Sequence, residues 1–298
     1  MRAKKSAPLD VSGFQTTTSY ALRRLYSGYN GPLINVRRSS DNSARDVYYD
    51  SEGNLDVADL LSFVGTGSGY VTTWYDQSGG LHNVTQSTAI NQPQIVNLGS
   101  VYIQNSMPSL YFNSLSYLNS SYTFMASALN CSFNIVCNVD KALVGGNGNR
   151  VIGETNSTNT SDTWSNGITG QPAPYTEMGF FNRNNLGGAS SSWGSLQAFS
   201  RAALTVISNI SVFNGNYQSY INGVADTAPV YNATGFVLPT CNIFTIGGSY
   251  RPSGSGFQYG IIGYISECVF YNNATTSASR KQLEYNQQNY FAVAGFSP

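Results

Sequence analysis

Short apolar runs separated by turn residues constrain the fold of this chain more than any other feature. From Tyr70 to Tyr271, segments rich in β-branched and aromatic residues alternate with clusters of Gly, Asn, Ser and Pro. This spacing is typical of an all-β sandwich or barrel, because each run can cross one sheet and each cluster favours a turn. The predicted strands are Val101–Gln104, Ser109–Phe112, Ser132–Val139, Tyr175–Phe181, Ala203–Phe213, Tyr217–Ile221, Ile243–Gly247 and Gln258–Tyr271.

Helical periodicity is confined to the two ends of the chain, with a strand predicted over Leu33–Arg38 between the first two helices. The apolar faces of the N-terminal helices are too small to be buried alone. We therefore expect residues 15–69 to pack on a single sandwich over 15–298, preceded by a basic arm over 1–14. The three predicted helices pass through Ala21, Leu22, Leu25 and Tyr26 behind a Thr18-Ser19 cap, over Val57–Val64 behind Asn54, and over Thr276–Tyr290, opened by Ser277.

Charge is scarce and unevenly distributed. Charged residues make up 10% of the chain, against about a quarter of an average globular protein. Hydrophobic residues reach 41%, which is enough for a core and excludes disorder. Seven basic residues fall within the first 38, with Asp10 the only acid among them. They form either an arm that docks on an acidic partner or a solvated segment, with Arg23 and Arg24 on the wet face of a helix. Nucleic acid is not expected, because no nucleic-acid-binding signature accompanies the charge.

Targeting segments and cysteines point away from a secreted disulfide-bonded protein. No apolar run is long enough to span a membrane, and the basic N-terminus lacks the apolar region of a signal peptide. The chain is therefore expected to reach its destination by assembly.

Cys131 and Cys137 lie on one predicted strand, roughly 20 Å apart at the usual strand rise, which is too far for a disulfide. Buried reduced thiols are expected, and neither a metal nor any other cofactor is predicted.

The segment Val71–Gly79, VTTWYDQSG, reads as a buried strand that stops at an Asx-type turn. Together with Val36–Asn42 upstream and Thr85-Gln86 downstream, it resembles the concanavalin-like sandwich domain of the fungal-type B-class α-L-arabinofuranosidases. A similar domain occurs in phage and large-virus virion proteins. The resemblance implies an all-β fold, a two-sheet antiparallel jelly-roll sandwich with short peripheral helices and a C-terminal helix.

Two later segments extend the resemblance over roughly residues 15 to 292. A predicted hairpin ends in Tyr220-Ile221-Asn222-Gly223, which is similar to a step common in laminin-G modules. The step Ile246-Gly247-Gly248 then leads to a strand that is apolar on both faces, as a layered sandwich requires. In that strand Tyr264, Cys268 and Phe270 are expected on one face, with Ile265, Glu267 and Val269 on the other.

The resemblance also sets up a test for catalysis. It implies a nucleophile at Glu177, whereas the family's acid/base Asp falls at Ser249, directly after Ile246-Gly247-Gly248. A glycosidase needs two carboxylates about 5 to 9.5 Å apart, and serine cannot protonate a leaving glycosidic oxygen. No carboxylate occurs within eight residues of Ser249, and the family's paired adjacent cysteines have no counterpart. The sequence therefore predicts a fold that has lost the family's chemistry.

Other candidate sites have alternative structural interpretations. Asp76, with Gln77 and Ser78, is either a weak calcium ligand or an Asx turn that binds its own backbone. Trp164, Trp193 and Glu177 are glycan-binding candidates, the two tryptophans through ring stacking; the alternative is that the tryptophans are core residues. His82 is the only histidine, and no nucleophile elbow accompanies it.

Two functions remain open from the sequence. The first is a virion structural or surface protein, a minor capsid, decoration or attachment component with a non-catalytic and glycan-binding domain. Its expected partners are other virion or capsid proteins and cell-surface glycans, and its expected location is the virion. The second is an extracellular arabinofuranosidase-like glycoside hydrolase that uses Glu177 as its nucleophile.

Overall fold

The computed structural model describes residues 7–10, 16–124, 130–139, 149–157, 163–169, 177–183, 191–194, 203–212, 217–225, 240–251, 256–258 and 260–295. For 163–169, 177–183 and 191–194 the description is confined to the backbone. These residues are mostly β-strand, with two α-helices and one short 3-10 helix over Ala89–Asn91. The predicted all-β class is therefore confirmed.

Eleven strands and the first helix precede residue 125. They are β1 (Thr18–Ala21), β2 (Ile34–Arg38), β3 (Ala44–Val47), α1 (Val57–Val64), β4 (Gly69–Trp74), β5 (Val84–Thr85), β6 (Gln94–Asn97), β7 (Ser100–Val101), β8 (Ile103–Gln104), β9 (Met107–Pro108), β10 (Leu110–Asn113) and β11 (Leu118–Ser120).

The described strands after residue 125 are longer and lead to the second helix. They are β12 (Asn130–Val139), β13 (Asn149–Thr155), β14 (Thr163–Thr169), β15 (Glu177–Arg183), β16 (Ser191–Gly194), β17 (Thr205–Val212), β18 (Tyr217–Ile221), β19 (Val224–Ala225), β20 (Ile243–Ile246), β21 (Ser249–Arg251), β22 (Gly256–Gln258) and β23 (Ile262–Tyr271), followed by α2 (Ser277–Phe291).

All pairings among these strands are antiparallel. One ladder runs β18–β17–β12–β23, and the far edge of β23 is shared by β1 and β10. A second ladder runs β16–β15–β14–β13–β20–β11–β5–β4–β2–β3. Strand β6 pairs with both β4 and β10 and so joins the two. Buried aromatic rings fill the core, where the ring centroids of Phe244 on β20 and Phe270 on β23 lie 5.4 Å apart.

The helix predicted through Ala21, Leu22, Leu25 and Tyr26 is wrong, because none of these residues is helical. Thr18–Ala21 is a strand that pairs with Glu267–Phe270 of β23, and all four of its residues are buried. Pairing with a central strand outweighs a weak local helical pattern. Arg23 consequently lies inside the protein, 5% exposed, rather than on a wet helical face.

The second and third predicted helices are confirmed, with one cap corrected. Helix α1 covers Val57–Val64 and ends at Gly65, but its cap is Asp56, whose carboxylate accepts the Asp59 N–H at 2.9 Å. The Asn54 side chain instead accepts a hydrogen bond from the Tyr290 hydroxyl. Helix α2 is capped by the side chain of Thr276.

Strand β23 departs from the predicted alternation at a bulge. Along β12 the partner of Val136 is Glu267 and that of Cys137 is Ile265, so Ser266 has no partner residue on β12. The bulge reverses the alternation. Ile265, rather than Tyr264, shares the core-facing side with Cys268 and Phe270. Gln258, predicted as the first residue of this strand, instead ends β22, which pairs with β21.

The N-terminal basic arm is only partly within the described residues, and its extent over 1–14 stays a prediction. Ala7–Asp10 packs on the protein: Leu9 is 2% exposed, and its N–H donates to the Leu25 carbonyl. Leu9 and Leu25 join Val269, Tyr271 and Leu283 in a small apolar cluster beneath α2.

Candidate functional site

Hydrogen bonds from the surrounding chain occupy the buried carboxylate of Asp76. One oxygen accepts the backbone N–H groups of Ser19 and Ser78, both at 2.9 Å. The other accepts the Ser78 hydroxyl at 2.8 Å and the His82 N–H at 3.1 Å. A carboxylate offers about four lone-pair sites, so these four donors satisfy it. The geometry favours the Asx turn over a calcium ligand.

The adjacent residue, Gln77, connects the same turn to the chain after β1. Its side-chain oxygen accepts the Leu25 N–H at 2.8 Å, while its amide nitrogen donates to the carbonyls of Arg23 at 2.9 Å and Ala21 at 3.3 Å. Both Asp76 and Gln77 are 3% exposed. The segment on which the resemblance chiefly depends is therefore an architectural junction and not an open binding site.

The residue predicted from the resemblance to stand in place of the family's acid/base, Ser249, is buried. Ser249 begins β21, lies opposite Gln258 of β22 and is 2% exposed. The preceding Gly247 has a φ of 92°, and a Cβ added there would lie 2.4 Å from a ring carbon of Phe112. The Ile246-Gly247-Gly248 step thus has a packing cause in this chain, since only glycine permits this turn against the Phe112 ring.

Two strands lie between β20 and the strand that carries the candidate nucleophile, Glu177. Glu177 is the first residue of β15, opposite Thr169 of β14. Strands β14 and β13 separate β15 from β20, so three inter-strand steps cover about 14 Å of backbone at the usual spacing. The side chains of Glu177, Trp164 and Trp193 lie outside the described part of the chain.

The backbone nevertheless places the two tryptophans on known strands. Trp164 of β14 lies between Glu154 of β13 and Asn182 of β15, and Trp193 of β16 lies opposite Phe180.

His82 stacks on Tyr122 with ring centroids 3.3 Å apart. Its backbone N–H donates to Asp76 and its carbonyl accepts from Tyr20, so this loop histidine packs into the end of the sandwich.

Three further carboxylates of the sandwich have structural partners. Glu154 is fully buried and accepts the Phe124 N–H at 2.8 Å. Glu267 accepts two N–H groups of Arg23 at 2.6 and 3.1 Å, and the Gln287 amide at 3.0 Å. Glu284 pairs with Arg280 within α2. Each is thus engaged in holding strands or the C-terminal helix. Asp140, Asp162 and Asp226 lie outside the described residues.

A row of outward-facing side chains crosses four neighbouring strands. Tyr70 of β4 lies opposite Gln94 of β6, Gln94 opposite Tyr111 of β10, and Tyr111 opposite Tyr264 of β23. The residues flanking each of them in sequence are buried, so these four side chains point away from the core. The Tyr111 ring also contacts Tyr102, with centroids 5.0 Å apart.

A cleft of about 400 Å³ opens beside Tyr70 and Tyr111 at the end of this row. Arg37, Gln92, Gln94 and Asn113 contribute its polar lining. We call it the tyrosine cleft. No sequence motif marks it, because its residues come from separate strands. The only signal in the sequence is that a tyrosine alternates with residues of the core on each of two strands. Alternation of this kind is also typical of ordinary surface tyrosines, so it does not identify a cleft.

Arg37 is held rigidly at the rim of the tyrosine cleft. Its Nε donates to the Gln92 side-chain oxygen and its Nη1 to that of Asn42, both at 2.8 Å, and Nη2 reaches the Ala89 carbonyl at 3.5 Å. The guanidinium carbon lies 4.8 Å from the Tyr70 ring centroid. All of these partners are neutral, and Arg37 makes no ion pair within the described part of the chain.

The described residues show neither a metal cluster nor a membrane-spanning helix. They contain no cluster of three or more His, Cys, Asp or Glu side chains arranged to hold a metal ion. Neither described helix has the length and apolar character to cross a membrane.

Comparison with known proteins places the fold. The family model of the catalytic domain of α-L-arabinofuranosidase B matches residues 12–101, a region that ends before Glu177 and Ser249. None of the curated proteins matches the sequence. The solved structure of an arabinofuranosidase complexed with arabinofuranosyl-α-1,2-xylobiose superposes with a TM-score of 0.67 at 13% identity, over 94% of this chain and 64% of that one.

Other solved structures agree. A mutant GH54 α-L-arabinofuranosidase soaked with 4-nitrophenyl α-L-arabinofuranoside gives a TM-score of 0.64 at 12% identity, over 91% of this chain and 62% of that one. The binding domain of Paraclostridial Mosquitocidal Protein 1 gives 0.51 at 12% identity, over 73% of this chain and 49% of that one. The chain thus spans less than two thirds of each of these proteins. The chain has the concanavalin-like sandwich fold of the GH54 α-L-arabinofuranosidase B catalytic domain.

Proposed function

We propose that this chain is a non-catalytic, carbohydrate-binding sandwich domain that serves as a structural or surface component of a virus particle. The observation that carries the non-catalytic part is the 2% exposure of Ser249, the residue at which the resemblance implies the family's acid/base. A hydroxyl in that position neither holds a transferable proton at neutral pH nor reaches an open cleft.

The engagement of the other acids supports this reading. Glu154, Glu267 and Glu284 are each committed to a backbone or arginine partner, so none of them is available to replace the missing acid. Removing one of the paired carboxylates of a glycosidase removes most of its rate. The carbohydrate-binding part draws on the fold and on a surface rich in tyrosine and amide groups.

The virion setting rests on different support. It draws on the sequence resemblance to virion proteins, the low content of charge and the basic N-terminal residues. Under this proposal the partners are other capsid or tail proteins and cell-surface glycans. Since Ala7–Asp10 packs on the protein, deletion of residues 1–6 is the clean test of a docking arm. Incorporation into purified particles should fall if the arm is an anchor.

A glycoside hydrolase that uses Glu177 is the second candidate. It is favoured by the family match over residues 12–101 and by the position of Glu177 at the start of β15. Both candidates are tested by assaying the chain on arabinan, arabinoxylan and 4-nitrophenyl α-L-arabinofuranoside. Turnover of the polysaccharides at ordinary enzyme rates, abolished by Glu177→Gln, would establish the hydrolase. We expect no polysaccharide turnover.

A further inference from the structure

We propose that the tyrosine cleft binds a carboxylated pyranose, with Arg37 holding the carboxylate and the rings of Tyr70 and Tyr111 contacting the sugar. This inference rests on the proposed carbohydrate-binding function and assigns to it a site, a residue set and a ligand class. The cleft is lined by none of the residues around Ser249, the position at which the resemblance implies the family's acid/base.

The charge of Arg37 selects for an acid. A guanidinium has five N–H donors, of which three are directed to Gln92, Asn42 and Ala89. Two donors therefore remain, and none of the described residues that line the cleft is a carboxylate that could neutralise them. One of these donors is on Nη1 and the other on Nη2, and a guanidinium N–H forms charge-assisted hydrogen bonds with a carboxylate.

The cleft holds that cation in a fixed orientation before any ligand arrives. Gln92 is 5% exposed and is itself anchored, because its amide nitrogen donates to the Gln86 carbonyl at 2.9 Å. The Tyr70 ring lies against the guanidinium. An arginine positioned in this way loses little side-chain entropy on binding, which favours recognition.

The rest of the lining suits a hydroxyl-rich ring. Tyrosine rings offer an apolar face together with a polar tip, and the amides of Gln94 and Asn113 offer both donors and acceptors. The volume of about 400 Å³ is near the lower end of the range of ligand clefts, and suits one or two sugar rings. Tyr102 and Tyr264, in contact with Tyr111, extend the aromatic surface beyond the cleft.

Matched sugar pairs test the inference by titration calorimetry. The probes are methyl glucuronide against methyl glucoside, methyl galacturonide against methyl galactoside, and sialyllactose against lactose. We expect the acidic member of at least one pair to bind about ten-fold more tightly than its neutral partner, as a charge-assisted hydrogen bond provides. The first two pairs report uronic acids and the third a sialic acid.

Variants assign the binding to the cleft. Arg37→Gln should weaken the acidic probe about ten-fold or more and remove the preference over its neutral partner. Tyr111→Ala should weaken both members of the pair. The matched controls are Arg45→Gln, an exposed arginine paired with Asp59, and Tyr48→Ala, a tyrosine that is 47% exposed. Neither control should change binding, and thermal unfolding checks that each variant is folded.

The possible failures are distinguishable. One such outcome is that an acidic probe binds equally well to the unaltered chain and to the Arg37→Gln and Tyr111→Ala variants, both shown to be folded. That result would overturn the assignment of binding to the cleft, but not the proposed carbohydrate binding. Binding of neutral sugars without any acidic preference would overturn the ligand class. No binding of any probe would overturn both this inference and the carbohydrate-binding part of the proposed function.

Discussion

The guanidinium of Arg23 donates two hydrogen bonds to the carboxylate of Glu267, one at 2.6 Å and one at 3.1 Å. The pair joins the segment after β1 to the central strand β23. It is buried beneath α2, where Gln287 donates to the same carboxylate and the Tyr290 ring lies 4.1 Å from the guanidinium carbon. The two ends of the chain therefore meet at one buried ion pair.

Removing the cation alone should destabilise the protein strongly. Arg23→Met leaves the Glu267 carboxylate buried and without its counter-ion, which costs about 3–5 kcal/mol of unfolding free energy. Adding Glu267→Gln removes the charge and keeps an acceptor for Gln287, so the double variant should recover a large part of the loss. Urea unfolding measures both changes. Arg45→Met, at an exposed pair with Asp59, is the control and should change stability little. Equal stability of the single and double variants would contradict a buried ion pair.

Asp76 should act on stability and not on calcium binding. Asp76→Ala leaves the buried N–H group of Ser19 without its acceptor, at about 1–3 kcal/mol, and adds a smaller cost at the partly buried N–H groups of Ser78 and His82. Asp50→Ala is a matched control, because Asp50 also accepts neighbouring backbone N–H groups but lies where water can replace it. Thermal unfolding of the unaltered chain should be the same in calcium and in chelator. A calcium-induced rise in Tm that Asp76→Ala abolishes would restore the calcium interpretation.

The cysteines should divide into three protected thiols and one accessible thiol. Cys131, Cys137 and Cys268 are buried, and Cys241 is partly exposed. Burial raises the pKa of the Cys137 thiol to about 12, and burial also raises the pKa of Cys268. Because the thiolate is the reactive form, iodoacetamide at pH 8 should modify only Cys241 among the four cysteines of the native protein. In denaturant without reductant it should modify all four, since none is expected to be held in a disulfide. Mass spectrometry counts the adducts, and a linked Cys131–Cys137 peptide would contradict their placement on β12.

The same thiols contribute a pH dependence of known sign. An unfolded thiol loses its proton near pH 8.5, whereas the pKa of Cys137 in the folded protein is raised to about 12. The unfolded state therefore binds fewer protons between these values. The stability contribution is complete below the unfolded pKa and is lost as the pH rises toward 12. Urea unfolding at pH 8 and pH 10.5 should show this loss, reduced in Cys137→Ala.

Local pattern predicted most strands of this fold, but missed what tertiary contacts decide. The run around Ile135 was predicted correctly, because a strand buried on both faces is apolar throughout. The segment at Tyr20 was predicted as helix, because nothing local indicates that β23 lies beside it. The bulge at Ser266 leaves no signature in composition, and it moved Ile265 and Tyr264 to opposite faces from those expected. Arg23 and Arg37 show the same limit, since the partners of each come from distant parts of the chain.

An aspartate at Ser249, where the resemblance implies the family's acid/base, should not confer catalysis. Because the position is 2% exposed, Ser249→Asp introduces a carboxylate with little access to solvent or substrate. Ser249→Asn is the matched control, with the same size and no charge. We expect the Asp variant to unfold at a lower temperature than the Asn variant at pH 7. Burial raises the pKa of the new carboxyl above its unfolded value of about 3.9, so the penalty should shrink as the pH falls. The opposite result would be arabinan hydrolysis that Ser249→Asp gains and that adding Glu177→Gln removes. It would show that residue 249 faces Glu177 across a working site. It would also favour a hydrolase that has lost one acid over a sandwich that only binds.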